Sequence, residues 1–226
     1  MKTRTETTTA ARRATQPSGR GRSAPALRLP REARRAQILA KAYQHFSENG
    51  LTAQTRALAE SCGVSQRLLY SFFPSKAALI EEVYRTEIAG SFKAIWFVEL
   101  KDRSLSVEDR LVRFYRDYFE VVTTRRWLRL FLHASLDEVA MAPAYIATIV
   151  THTLEIVVAE AAHEKGLAAP TDAAHIQEIG WILHGAVSHL AIRRHVYGNA
   201  NPVPSGEVIA MQVRVFLAGL DAVLGA

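Results

Sequence analysis

The sequence lacks the features of a secreted, disulfide-bonded or membrane-spanning protein. Its 226 residues include one cysteine, Cys62, which excludes an intrachain disulfide and a cysteine-rich zinc site. It has no run of about eighteen apolar residues, the length that a membrane helix needs, and no apolar N-terminal core of a secretory signal. We therefore predict a cytoplasmic protein with no membrane partner. Apolar residues make up 49% of the chain, which is enough for a sizeable core.

Acidic residues are scarce in the first third of the chain. The formal net charge is +6, yet residues 1–30 alone carry +6 and residues 31–80 carry +4, so the remainder is mildly acidic. A basic front and an acidic back predict a polyanionic partner for the front alone.

Residues 1–29 also have almost no large apolar side chains. Their Thr, Arg, Ser, Gly and Pro content predicts a disordered basic tail, although an organellar transit peptide has a similar composition. Within it, Arg20 and Arg22 flank Gly21, and such a slim segment fits an A·T-rich minor groove. The simpler interpretation is a solvated tail that attracts phosphates without sequence preference.

The alternating pattern of a β-strand is missing, whereas apolar residues recur at helical spacing after residue 30. We therefore predict an all-α fold of about nine helices. A three-helix helix-turn-helix head would occupy residues 30–80, and a C-terminal helical bundle residues 81–226. The expected helices are about 31–49, 53–61, 66–73, 75–99, 106–122, 124–136, 143–165, 171–197 and 206–224.

The third predicted helix is short and has two distinct faces. At ~100° per residue its polar side chains fall within an arc of roughly 140°, and the large apolar side chains lie opposite. The polar face holds Gln66, Arg67, Tyr70 and Ser71, and the apolar face Leu68, Leu69, Phe72 and Phe73. Two short helices joined at Gly63, the second presenting Gln and Arg, describe a helix-turn-helix. Because Gln pairs with adenine and Arg with guanine in the major groove, the pattern predicts binding to double-stranded DNA.

Residues 55–83, TRALAESCGVSQRLLYSFFPSKAALIEEV, resemble the DNA-binding segment of TetR/AcrR-type transcriptional regulators. The shared pattern is an Arg-containing helix with a Leu-Ala pair, then Gly-Val-Ser, Leu-Tyr, an aromatic-Pro-Ser-Lys turn and an apolar helix. The resemblance extends over about residues 31–85. The matching residues are Arg56, Leu58, Ala59, Gly63, Val64, Ser65, Leu69, Tyr70, Phe73, Pro74, Ser75 and Lys76.

The resemblance implies two groups of DNA contacts. Base edges would be approached by Arg56, Gln66 and Arg67, and phosphates would be held by Thr55, Ser65, Tyr70 and Lys76. The chain departs from the family at two positions, where a small polar residue and a His are usual. Leu68 would either meet a thymine methyl or turn inward, and Phe72 removes one phosphate contact.

The resemblance also implies a ligand-sensing domain in the C-terminal part. Aromatic side chains would supply apolar walls and histidines the polar groups, with plain core packing as the alternative. Candidate pocket residues are Trp96, Phe114, Tyr118, Trp127, Phe131, His133, His152, Trp181 and His184. No cofactor is expected, and no metal site, since no His pair at i, i+4 has a carboxylate partner. We interpret the basic group Arg125, Arg126 and Arg129 as a solvated helix face.

The last two predicted helices, about 171–197 and 206–224, are apolar on more than one face, with small residues interspersed. A terminal helix of this kind needs another surface to cover it. Two such helices from each of two chains would form a four-helix homodimer interface, unless both are buried within one subunit.

Taken with the resemblance, these patterns predict a TetR-like repressor. It would bind palindromic operator DNA as a dimer and be released by a small apolar or aromatic effector. The alternative is an effector-independent or architectural DNA-binding regulator. An enzyme is not indicated, because no nucleophile triad, paired-carboxylate motif or phosphate loop occurs.

Overall fold

The computed structural model describes residues 29–137 and 140–224, and every regular element within these ranges is helical, as predicted. The basic tail predicted for residues 1–29 lies, apart from Leu29, outside the described residues. In chain order the described helices are α1 (Arg31–Asn49), α2 (Thr55–Ser61), α3 (Gln66–Phe72), α4 (Lys76–Val83), α5 (Ile95–Glu99), α6 (Val107–Val121), α7 (Arg125–Leu136), α8 (Met141–Tyr145), α9 (Thr151–Glu164), α10 (Ala173–His195) and α11 (Ser205–Leu224).

With α8 and α9 counted as one helix and α5 left out, the described residues contain nine helices, the predicted number. Helices α8 and α9 run on as one helix through a π-helical turn, Ile146–Val150, and α5 is little more than one turn long. We call α1–α4 the head and α5–α11 the body. The domain boundary near residue 80 stays a prediction.

The head packs around one small core. Gly50 (φ 79°) and Gly63 (φ 68°) adopt the left-handed backbone that turns the chain after α1 and after α2. Ser65 and Ser75 then cap α3 and α4 by accepting a backbone hydrogen bond through the side-chain oxygen. The buried side chains of this core are Ile38, Ala42, Phe46, Leu58, Leu69, Phe73, Leu79 and Val83.

The helix predicted from residue 75 to about 99 is interrupted, so that expectation is wrong. After Val83 the chain widens into a π-helical turn, tightens into a 3-10 turn over Ala89–Ser91 and becomes extended at Phe92. The short α5 then places Trp96 in the core, where its Nε1 donates to Asp117 Oδ2 at 3.3 Å. Burying Trp96 in the core therefore favours a break in the helix, although the helical periodicity of the sequence predicts a continuous one.

Helix α9 forms the centre of the body. Gly180 of α10 lies so close to it that an added Cβ would sit 2.6 Å from Leu154 Cβ, which permits the tight crossing of the two helices. By length and composition the continuous helix Met141–Glu164 would also reach across a membrane, with a mean hydropathy of 1.4. Half of the most apolar 18-residue stretch of this helix is buried within the chain, as in the core helix of a helical bundle.

A buried ion pair fixes the connection between α5 and α6. Arg110, nearly inaccessible to solvent, donates to Glu160 Oε2 at 2.8 Å and to the Leu100 carbonyl. Arg103 donates to both oxygens of the same carboxylate and, more than burial opposes it, lowers the pKa of Glu160. Because each charge is paired, this network holds the α5–α6 connection against α9.

Candidate nucleic-acid interface and ligand cavity

The outward face of α3 carries the polar side chains predicted to read DNA. Gln66 and Arg67 are exposed, whereas Leu69, with 2% of its surface accessible, and Phe73 are buried against α1 and α2. Leu68 is 39% exposed, so it lies with the reading residues and not in the core. The polar side chains of α3 therefore face solvent, as the DNA-binding prediction requires. Of the two alternatives for Leu68, the structure has the outward one.

Two arginines of α1 support the far end of α3. The Arg31 guanidinium lies 5.2 Å from the centre of the Phe72 ring, and Arg35 lies 5.0 Å from that of Phe73. Arg35 also pairs with Glu82 at 2.8 Å, and together with Arg85 it lowers the pKa of Glu82 to about 2. Phe72 therefore serves as a half-buried platform for a cation.

Thr55 of α2 forms a hydroxyl pair with Tyr70 of α3, and α2 also carries an exposed cation, Arg56. The Tyr70 hydroxyl donates to Thr55 Oγ1 at 3.3 Å, which leaves the proton of Thr55 free to donate elsewhere. Arg56 pairs with Glu60 at 3.0 Å, but both side chains are highly exposed. Such a surface pair is worth about 0–1 kcal/mol, so Arg56 could exchange it for another partner at little cost.

Lys76 is held more firmly than the sequence suggested. Its ammonium donates to the Ala53 carbonyl at 2.7 Å, and burial lowers the pKa of Lys76. This contact fastens the segment before α2 to the start of α4. An ammonium has three donors, so two remain for a phosphate.

Five of the nine predicted pocket residues line one partly open cavity of about 120 Å³ in the body. They are Tyr118, Trp127, Phe131, Trp181 and His184. The predicted pocket residues left out Tyr145, Thr123 and Ser188, and the rest of the lining is aliphatic. The signal for Tyr145 was its place among the body's aromatics, whereas nothing in the sequence distinguishes Thr123 or Ser188 from other helix-surface residues.

The other four predicted pocket residues lie elsewhere. Trp96 and Phe114 pack against each other with ring centres 5.7 Å apart, in solid core beside the cavity. His152 is half-exposed and its Nδ1 lies 3.1 Å from Glu155. His133 approaches Gly50 of the head, because its side chain leaves α7 on the side away from the cavity.

Burial sets the protonation of the cavity's polar groups. His184 is surrounded by aromatic rings, and burial lowers its pKa to about 4, so the imidazole is neutral at pH 7. Burial raises the pKa of Tyr118 to about 12 and that of Tyr145 further still. The cavity therefore has polar atoms but no charge.

Residues 38–83 match the family model described as bacterial regulatory proteins, tetR family. The match runs from α1 to the end of α4, so the head has the DNA-binding segment typical of the TetR family. No curated protein matches the chain by sequence.

Solved structures extend the likeness to the whole fold. The chain is similar to a TetR-like transcriptional regulator from Rhodococcus sp. RHA1, with TM-score 0.65 and 22% identity over 85% of this chain and 100% of that one. It is also similar to the TetR-family regulator PfmR from Thermus thermophilus, with TM-score 0.59 and 20% identity over 81% of this chain and 98% of that one. At these identities the structures show a shared fold alone, and this is the fold of a TetR-family transcriptional regulator.

The TetR head is fastened to the body by α7, which corrects the interpretation of Arg129 as part of a solvated face. Arg129 donates from Nε to the Ser47 carbonyl at 2.8 Å and from Nη2 to the Glu48 carbonyl at 3.1 Å. Both carbonyls belong to the last turn of α1, which has no basic residue of its own. Arg125 and Arg126 are exposed as predicted, although the Arg126 guanidinium also lies 5.3 Å from the Tyr43 ring centre.

An apolar stripe runs along the outer face of the last two helices. Met211 and Val215 of α11 are exposed, Val215 by 73%, and Ile182 of α10 lies beside them. They border a surface groove of about 200 Å³. Helix α11 continues this stripe with Ala218, Gly219 and Ala222. Because these residues are small, another surface could approach the helix backbone closely.

Proposed function

We propose that the protein is a dimeric transcriptional repressor that binds a palindromic operator and releases it when a small molecule occupies the body cavity. The observation that carries the proposal is the outward face of α3, on which Gln66 and Arg67 project from a helix anchored by Leu69 and Phe73. A helix of this kind enters the major groove, where Gln and Arg meet base edges.

The neighbouring side chains take the supporting roles. Arg56 would exchange Glu60 for a base edge, since its present pair is exposed. Thr55, Ser65 and Lys76 would each donate a remaining proton to a phosphate. Tyr70 would act mainly by orienting Thr55, because its single proton is directed to Thr55 Oγ1.

Dimerisation would place two heads on successive major grooves, ~34–36 Å apart. The apolar stripe of α11, joined by Ile182 of α10, supports this part of the proposal, because exposed apolar side chains on terminal helices gain stability when a second copy covers them. The two-fold symmetry of such a dimer matches a palindromic site.

Helix α7 supports a link between cavity and head. Trp127 and Phe131 line the cavity from α7, and Arg129 of the same helix is bonded to the end of α1. A ligand that favours a shifted α7 would therefore move the head and change the spacing of the two reading helices. The DNA-binding regulator would act in the cytoplasm, and we propose no catalytic role.

Footprinting of the palindrome upstream of the protein's own gene tests the proposal. We expect protection of two half-sites about one helical turn apart. Val215→Glu should leave the secondary structure intact, produce monomers in light scattering and lose the footprint. Arg125→Ala, at an exposed site off the stripe, is the matched control. A protein that protects no palindrome at low salt, or a monomer with an unchanged footprint, would contradict it.

The smallness of the cavity favours one alternative, an effector-independent regulator, since tight aromatic packing leaves little space for a ligand. A footprint that no ligand of any charge class weakens would support that alternative.

A further inference from the structure

The body cavity combines polar atoms with a complete lack of charge. None of its lining residues is Asp, Glu, Lys or Arg, and His184 is neutral because it is buried. An ionised ligand would lose its hydration there without gaining a counter-ion. The lining therefore favours an uncharged ligand over an acid or an ammonium compound.

The Tyr145 hydroxyl is a polar atom of the lining that is left without a partner. It is buried, with 1% of the residue exposed, and forms no hydrogen bond with any residue that the structure describes. Burial and, after it, the neighbouring Tyr118 raise the pKa of Tyr145, but the two hydroxyls do not meet the distance and angle limits of a hydrogen bond. A buried hydroxyl without a partner is costly, so it gains from a ligand group that accepts or donates a hydrogen bond.

One wall of the cavity is a cluster of aromatic rings. Trp127 and Phe131 stack nearly parallel, with centres 4.8 Å apart and an angle of 11° between planes. Tyr145 meets both of them edge to face. A ring added beside this cluster would continue the stacked and edge-on contacts that aromatic side chains prefer.

The volume limits the ligand to one ring. The cavity measures about 120 Å³. For comparison, an apolar protein cavity of about 150 Å³ accommodates benzene. A fused bicyclic system or a long acyl chain would need substantial rearrangement of the surrounding helices.

We propose that the cavity binds an uncharged, single-ring aromatic compound carrying one hydroxyl or carbonyl group, which hydrogen-bonds to Tyr145. This inference rests on the proposed function for its regulatory meaning, but the binding itself requires no DNA. The Tyr145 hydroxyl sets the requirement for a polar group, and the Trp127–Phe131 wall sets the requirement for a ring.

Calorimetry and tryptophan fluorescence of the full chain test it, because Trp127 and Trp181 both line the cavity. The probes are phenol, toluene, benzoate and choline. We expect phenol to bind, toluene to bind about tenfold more weakly for want of the hydrogen bond, and benzoate and choline not to bind. Tighter binding of benzoate or choline than of phenol would overturn the proposal, as would no binding of phenol.

A conservative variant isolates the hydroxyl. Tyr145→Phe removes the hydroxyl and keeps the ring, so phenol should lose its advantage over toluene while toluene binds as before. Tyr197→Phe removes a hydroxyl from an exposed ring outside the cavity and serves as the matched control. A Tyr145→Phe variant that still prefers phenol about tenfold would overturn the role of Tyr145.

Ligand binding and footprinting on the same protein distinguish failure of this inference from failure of the proposed function. If phenol binds but leaves the operator footprint unchanged, the ligand assignment stands and release by ligand fails. If no uncharged ring binds while the footprint is present, the ligand assignment fails and DNA binding stands.

Discussion

The head and the body use their polar side chains in opposite ways. In the head, the side chains assigned to DNA project from α3 into solvent, and the apolar half of the same helix holds them in place. In the body, the polar groups assigned to a ligand are wrapped by aromatic rings. A surface that reads a large polyanion needs exposed donors, whereas a site for a small neutral molecule needs donors removed from water.

Helix α7 belongs to both regions and shows where they meet. One side of it lines the cavity, and the other side binds the last turn of α1 through Arg129. Helix α7 therefore connects the body cavity to the head. Four predictions test the difference between the head and the body and their connection through α7.

The largest expected effect is the acid sensitivity of the body. The folded-state pKa of His184 is about 4, against about 6.5 in the unfolded chain, so the unfolded state takes up a proton first as the pH falls. The contribution of His184 to stability is therefore complete above about pH 6.5 and is lost towards pH 4, by about 3 kcal/mol. The neighbouring Tyr115 and Tyr118 stay protonated throughout, since burial raises both of their pKa values.

Urea unfolding of the wild type and of His184→Gln, from about pH 7 to about pH 4, measures this contribution. The variant should be less stable at neutral pH because its amide is harder to satisfy, yet it should lose less stability on acidification. Other titrating groups are common to both proteins and cancel in the difference. Parallel pH profiles for the two proteins would show that burial of His184 does not set the acid sensitivity.

The second prediction concerns base reading by the head. Arg67→Ala should weaken operator binding by about 1–3 kcal/mol and relax preference at one base pair, because a bidentate contact to guanine is lost. Binding to random DNA should change much less. Titrations on both DNAs at one salt concentration give the two values, with Arg125→Ala as the charge-matched control. Equal losses on both DNAs would assign Arg67 to a phosphate.

The same contrast explains what the sequence could and could not predict. The face of α3 follows from helical periodicity alone, so Gln66, Arg67 and Leu69 lie where the pattern placed them. Capping residues are equally local, and the helix starts expected at Ser106 and near residue 124 are confirmed by their side-chain hydrogen bonds.

Features that depend on neighbours distant in sequence were harder to predict. The break after Val83 lets Trp96 of α5 pack against Phe114 and Tyr118 of α6, and periodicity carries no information on that packing. Arg129 was interpreted as solvated because its partners are carbonyls 81 and 82 residues away. Only five of nine pocket residues share a cavity, since aromatic composition does not tell a lining ring from a packed one.

The third prediction tests the bridge between the two regions. Arg129→Ala should lower the free energy of unfolding by about 1–2 kcal/mol, because two hydrogen bonds from a charged group to the end of α1 are lost. Amide hydrogen exchange should accelerate at the end of α1 and not in α9. Arg125→Ala, one turn earlier on α7, is the control. Uniform acceleration throughout the chain would show that α7 stabilises the whole fold and does not specifically fasten the head.

The smallest expected effect belongs to Leu68, the apolar residue on the polar side of α3. Because it is exposed beside Gln66 and Arg67, we expect it to contact a thymine methyl in the operator. Replacing that thymine with deoxyuridine removes one methyl group and should weaken wild-type binding by about 0.8 kcal/mol. Leu68→Ala should bind both DNAs with nearly equal affinity, since the partner of the methyl is gone. If the variant remains as sensitive to the methyl as the wild type at every thymine of the half-site, the side chain turns inward on DNA. Leu68 would then serve packing within the head and not base reading.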